Sequence, residues 1–175
     1  MAVVKALCEA GANTDWALIS AAAHCKGIAV NAPEGAAARA RSASIAVELL
    51  KHGARADSNS LQFACQFDVY PLAKLLIEHG ADVNDVIERS GLTALMVAAE
   101  NASLPLVSLL LQHGADVHAT EPERRWTALH YACTCTSAAG DADKIRSLLN
   151  VGASPNAASV TGSTPLWLAA SVSDN

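Results

Sequence analysis

His130, Cys133 and Cys135 stand close enough in sequence to suggest a zinc site. Residues 130 and 133 are three apart, so on a helix an imidazole and a thiolate could face one ion. Structural zinc takes four such ligands in a tetrahedron, and the spacing offers no fourth. Cys135 would point elsewhere on the same helix. No metal and no cofactor is therefore expected.

Other chemistry has less to stand on. The chain has no glycine-rich phosphate loop and no GxSxG nucleophile elbow. Asp57, Asp82 and Asp116 sit at turn ends, where a carboxylate more often holds local backbone N–H groups than acts as a base. No two carboxylates are spaced to share a cleft. No catalytic residue is expected, and the sequence makes no case for an enzyme.

Bulk properties narrow the remaining classes. The chain has 175 residues, 51% hydrophobic and 17% charged, which suffices for a sizeable core. Only 4% of residues are aromatic and alanine is abundant, which favours closely packed helices over a sandwich of strands. A net charge of −5 argues against a phosphate-backbone partner, so no nucleic acid is expected. No apolar run approaches the roughly 20 residues a bilayer span needs, so no membrane partner is expected. The five cysteines, Cys8, Cys25, Cys65, Cys133 and Cys135, lack a disulfide rhythm. They read as buried thiols of an intracellular protein, cytoplasmic or nuclear.

The elements that position these residues announce themselves by repetition. KLLIEHGADVN at 74–84 returns 34 residues later as SLLLQHGADVH at 108–118. A leucine-rich segment ending in glycine recurs at Gly11, Gly53, Gly80, Gly114 and Gly152. A second phrase precedes it: WALISAA from Trp16, NSLQFAC from Asn59, TALMVAA from Thr93, TALHYAC from Thr127 and TPLWLAA from Thr164. Thr93, Thr127 and Thr164 stand where an N-cap hydroxyl can accept from free N–H groups. Pro165 follows its cap at the first helical position. Leu95, Ala98 and Ala99 share one helical face, as do Leu129, Ala132 and Cys133. The small residues let a second helix approach closely. That helix carries Leu106, Val107, Leu110 and Leu111 and ends at Gly114, which can adopt the left-handed conformation of a helix end. Pro71 and Pro105 fit the first turns of second helices.

These phrases resemble the ankyrin repeat, whose signature is a unit of about 33 residues with T-P-L-H-x-A. TALHYA at 127–132, TPLWLA at 164–169, and HGAD at 79–82 and 113–116 carry the likeness. The resemblance implies an all-α ankyrin-repeat solenoid of stacked antiparallel helix pairs, with half repeats at both ends. It also implies that His130 makes hydrogen bonds between neighbouring units. The expected divisions are a half repeat at 1–14, an expanded repeat at 15–56 with an insertion at 27–42, repeats at 57–90, 91–124 and 125–161, and a half repeat at 162–175. The connections from Gly80 and Gly114 to the next leucine span 15 residues each, enough for the family's projecting β-hairpin. Neither end carries the polar cap a repeat stack needs, so the chain is expected to be part of a longer array.

In ankyrin-like proteins a partner is held by hairpin tips and the exposed side of the first helices. On this sequence the tips are Arg89 and Leu92, then Glu123, Arg124 and Trp126, then Val160 and Ser163. The helix ends add Gln66, Phe67, Glu100 and Asn101. Trp126 has two readings, an interface residue or a side chain packed across the hairpin base. The expected function is a non-catalytic protein–protein interaction scaffold. The alternative is a substrate-recognition or regulatory arm of a larger enzyme or signalling receptor.

Overall fold

The computed structural model describes residues 44–87, 90–134 and 140–173, together with Glu9. The half unit at 1–14, Trp16, the insertion at 27–42, Arg89 and Cys135 lie outside the described residues. The chain divides into two compact units, Met1–Asp82 and Val83–Asn175.

In the first unit, residues 44–51 are helical and are followed by α1 (Ser58–Gln66) and α2 (Tyr70–Glu78). Asp57 caps α1, its carboxylate accepting from the Ser60 N–H at 2.9 Å. Pro71 sits in the first turn of α2, where a missing N–H leaves no carbonyl unpaired. The two helices close on Leu61, Ala64, Cys65, Leu72 and Leu76, all fully buried. Burial also pushes the Cys65 thiol far above its ordinary range, so it stays protonated and inert.

The second unit is built from α3 (Ala94–Asn101), α4 (Leu104–Gln112), α5 (Ala128–Thr134), α6 (Gly140–Asn150) and α7 (Pro165–Ser173). The first helices α3, α5 and α7 form one layer, each against the next, and the second helices α4 and α6 form the other. Within each unit the two layers also meet, α3 on α4 and α5 on α6. Alanine makes this possible. Ala98, Ala99 and Ala132 are buried between leucines, so helix backbones approach closely around Leu95, Leu106, Leu110, Leu129 and Leu148. Each such leucine removed from water stabilises the stack by about 1.5–3 kcal/mol.

The recurrent Gly-Ala pair has a common geometry. Gly114 adopts φ +81°, and its N–H and that of Ala115 turn back to the carbonyls of Leu111 and Leu110 at 3.1 and 3.0 Å. The same two bonds close the helices before Gly53, Gly80 and Gly152. These bonds help to satisfy the carbonyls at each helix end, which have no partner further along the helix.

Thr93 and Thr164 cap as expected, accepting from Met96 and Trp167 N–H groups, both at 3.3 Å. Thr127 differs: its hydroxyl instead meets His130 Nδ1 at 2.9 Å. Repeats are also tied by side chains that the periodicity does not reveal. Asn84 donates to the Gly114 carbonyl at 3.0 Å and accepts from the Asp116 N–H at 2.8 Å, reading the helix end of the next unit. Lys144, buried in α6, reaches back to the Ala99 carbonyl in the last turn of α3 at 3.2 Å. A cation at a helix C-terminus is favoured by the partial negative charge there.

The projecting β-hairpins expected from the resemblance are reduced. Among the described residues no strand forms, and a single isolated bridge, Val86 to Thr93, marks the first of them. In the second, the backbone N–H groups of Glu123, Arg124 and Trp126 turn onto the Glu121 carboxylate instead of pairing in a ladder.

Candidate functional site

Three fingers and the ends of two first helices carry the residues singled out from the sequence. The first finger closes with the Ile87 N–H on the Leu92 carbonyl at 3.3 Å, and Leu92 is half-buried. Gly91, at φ +64°, lies directly against the ring of Pro122 in the second finger. A β-carbon there would overlap Pro122 Cδ, so glycine is what lets the two fingers meet.

The second finger is organised by a residue that the sequence reading passed over. Glu121 is buried, and its carboxylate accepts from the N–H groups of Glu123 and Arg124, each at 2.7 Å, and of Trp126 at 3.1 Å. The Glu121 N–H also donates to the Trp126 carbonyl at 3.1 Å. The backbone from 121 to 126 thus curls around one carboxylate, with Arg125 at φ +57° absorbing the turn. Glu123 and Arg124 project from it and are exposed. The available signal was an acidic residue beside Pro122 in a short connection, where a carboxylate can accept from the turn's own N–H groups. The third finger pairs Ser159 with Ser163 and links back to the second through the Val160 N–H, which donates to the Arg124 carbonyl at 2.9 Å. Val160 is 64% exposed.

Trp126 is half-buried and touched on several sides. His130 stacks on one side, 6.0 Å between centroids and 12° from parallel, and Tyr131 meets it edge-on at 5.4 Å. The Arg124 guanidinium carbon lies 5.0 Å from the centre of the indole, within cation–π range. Packing across the finger base is therefore part of its role.

His130 is fully buried beneath it. Its Nδ1 accepts from the Thr127 N–H at 3.1 Å, which requires the proton on Nε2. Nε2 then donates to the Ser163 carbonyl of the next finger at 3.3 Å. Burial pushes the imidazole pKa down, against the pull of the Ser163 and Ala157 carbonyls. A histidine so engaged has no lone pair left for zinc. Among the described residues no three His, Cys, Asp or Glu side chains are grouped to hold a metal.

At the ends of the first helices, Glu100 and Asn101 are exposed. The Asn101 amide donates to the Val97 carbonyl and to Glu100 Oε2, both at 3.2 Å, which fixes the pair's orientation. Tyr131 is a further surface residue that helix geometry alone should have found, since it falls opposite the buried Leu129 and Cys133 face. Its hydroxyl pKa is pushed up by burial first, then by Glu121, Glu100 and Glu123, with Arg124 opposing. Helix α3, the second finger and helix α5 thus bring Glu100, Glu123, Arg124 and Tyr131 into one electrostatic neighbourhood, with Trp126 against Arg124 and Tyr131. Phe67, in the other unit, stacks on Phe63 of its own helix at 6.1 Å.

Charged and aromatic side chains here stand on fingers held by backbone hydrogen bonds. No helix among the described residues is long and apolar enough to cross a membrane. Residues 35–121 match a family model of ankyrin repeats in three copies, and residues 124–160 match that of a single ankyrin repeat. Among curated proteins, none matches the chain.

Proposed function

This chain belongs to the ankyrin repeat family, whose repeats are generally protein–protein interaction modules, and on that premise we propose that it is a non-catalytic scaffold holding a protein partner. The partner-binding surface consists of Leu92, Glu123, Arg124, Trp126 and Val160 on the fingers with Glu100 and Asn101 on the first helices. Arg89 joins them from its place in the sequence. One observation supports this reading above the others. The Glu121 carboxylate already holds three backbone N–H groups of the second finger, so Glu123 and Arg124 are presented in a fixed geometry. A surface ordered before binding loses less entropy on association and retains more of its contact energy as affinity. Buried thiols at Cys65 and Cys133 suit a cytoplasmic or nuclear setting.

The test is a pull-down with the intact chain against a Glu123→Lys, Arg124→Glu, Val160→Asp triple variant. All three side chains are exposed, so the melting temperature should stay within a degree or two of the parent's. Partners captured by the parent and lost by the variant support the surface. Identical capture by both proteins refutes it.

A further inference from the structure

Gly91, Arg125 and Gly162 hold one slot in three successive fingers. Each stands two residues before a threonine, Thr93, Thr127 or Thr164. Each donates its N–H back into its own finger, to the carbonyls of Ile87, Glu121 and Ser159 at 2.8, 3.1 and 3.0 Å. Each has a left-handed backbone, at φ +64°, +57° and +78°. At Gly162 nothing lies within 4 Å of a β-carbon, so glycine serves there for its backbone alone. The second finger makes the same turn with a residue that carries a β-carbon. Asp68 is the other described non-glycine residue at positive φ, and a short polar side chain of that kind offsets the cost with local hydrogen bonds. Arginine has no such means.

The Arg125 side chain gives the fold nothing in return. It is exposed, and among the described residues no ion pair or hydrogen bond engages its guanidinium. Arg124 is exposed as well, lies over the Trp126 ring and enters no ion pair. The other described cations of this unit are committed, Lys144 to the Ala99 carbonyl and Arg146 to Asp143. The backbone beneath the two finger arginines is fixed. The Arg124 N–H is held by the Glu121 carboxylate and the Arg125 N–H by the Glu121 carbonyl, while the Arg124 carbonyl accepts from Val160.

We propose that Arg125, together with Arg124, is a specificity-determining grip for an acidic segment of the partner, whose carboxylates the two guanidinium groups take up. This grip rests on the scaffold reading above and adds the chemistry of its occupant. A carboxylate matches the planar fork of a guanidinium and accepts from it in pairs. Strain retained at an exposed residue that makes no contact of its own points to a use outside the chain. The chain as a whole carries −5, so attraction of an acidic segment has to come from this finger.

The experiment titrates the full chain, nitrogen-15 labelled at tryptophan, with N-acetylated, C-amidated hexaglutamate at low ionic strength. Hexalysine and inorganic phosphate are the parallel arms. The Trp126 indole N–H, assigned with Trp126→Phe, should shift saturably with hexaglutamate and not with hexalysine, and the affinity should fall as salt is added. Arg125→Gln, which keeps the left-handed β-carbon and removes the charge, should weaken binding about fivefold, the upper range for an exposed ion pair. Arg125→Gly should weaken binding as much, with a denaturant midpoint equal to or above the parent's. Equal affinity of the parent and both variants overturns the grip. A lowered midpoint for Arg125→Gly also overturns it, since Arg125 would then serve the fold. A shift that saturates at lower concentration with inorganic phosphate than with hexaglutamate overturns the carboxylate class. No shift with hexaglutamate overturns the acidic occupant and leaves the scaffold reading to its own pull-down.

Discussion

The Trp126 indole lies over the His130 imidazole at 12° from parallel and 6.0 Å between ring centres, closing the base of the second finger over a buried, neutral histidine. That relationship joins a residue at the surface to one that holds two units together. The imidazole accepts at Nδ1 from its own unit and donates at Nε2 to the next. A proton added at Nδ1 would face the Thr127 N–H, donor against donor.

The stack should lose stability on mild acidification because of this histidine. Its folded pKa lies below the ordinary 6.5, so the unfolded chain takes up the proton first. The contribution is complete above about pH 6.5 and falls as pH drops through the window between that value and the lowered folded pKa. Thermal melts at pH 7.5 and pH 5.5 should show the loss. The gap between the parent and His130→Gln should narrow as pH falls. A gap independent of pH would contradict the neutral tautomer.

Glu121 should prove more important to the fold than its place in a surface finger suggests. Glu121→Ala leaves three backbone N–H groups without their acceptor and should cost about 2–3 kcal/mol, the scale for bonds to a charged group. Glu121→Gln keeps one acceptor oxygen and should cost less. Chemical denaturation measures both, and a neutral Glu121→Ala would mean that the finger closes without its anchor.

Gly91 and Gly114 should respond differently to one added methyl. At Gly114 nothing lies within 4 Å of a β-carbon, so Gly114→Ala costs only its left-handed backbone, about 1–2 kcal/mol. Gly114→Val adds branching at the same position and should cost more. At Gly91 a β-carbon meets the Pro122 ring as well, so Gly91→Ala should cost more than Gly114→Ala and should separate the two fingers. Comparing the variants by denaturant midpoint, with and without Pro122→Ala, isolates the contact. Pro122→Ala should recover part of the Gly91→Ala loss and none of the Gly114→Ala loss.

Lys144→Met should keep the side chain's volume and remove its bond to the Ala99 carbonyl. The expected loss is about 1–2 kcal/mol, since a buried helix-end carbonyl loses a charged donor. An unchanged midpoint would show that a neighbouring group takes over the carbonyl.

Much of the architecture was legible in the sequence because repetition makes each position its own control. Leu95 and Leu129 share a slot and are both buried, and the Gly-Ala pair closes four helices with the same two bonds. Local rules suffice there: a helix face, a hydroxyl cap and a left-handed end are settled within a few residues. The fingers were less legible. A 15-residue connection fits a β-hairpin or a curled turn equally well, and the choice fell to Glu121, whose partners are counted only once the chain has folded.

By itself the sequence determined the beat: which residues pair as helices, where each helix ends, and which family the units belong to. The tertiary structure decided what each exposed or polar residue does. Trp126 could stand free or lie on His130, Lys144 could be solvated or reach Ala99, and Asn84 could turn inward on its own loop or read the next one. Helix formation depends on neighbours three and four residues away, which a sequence displays. The Asn84 and Lys144 contacts join residues 30 and 45 positions apart, and only the stacking of one unit on another brings them within reach.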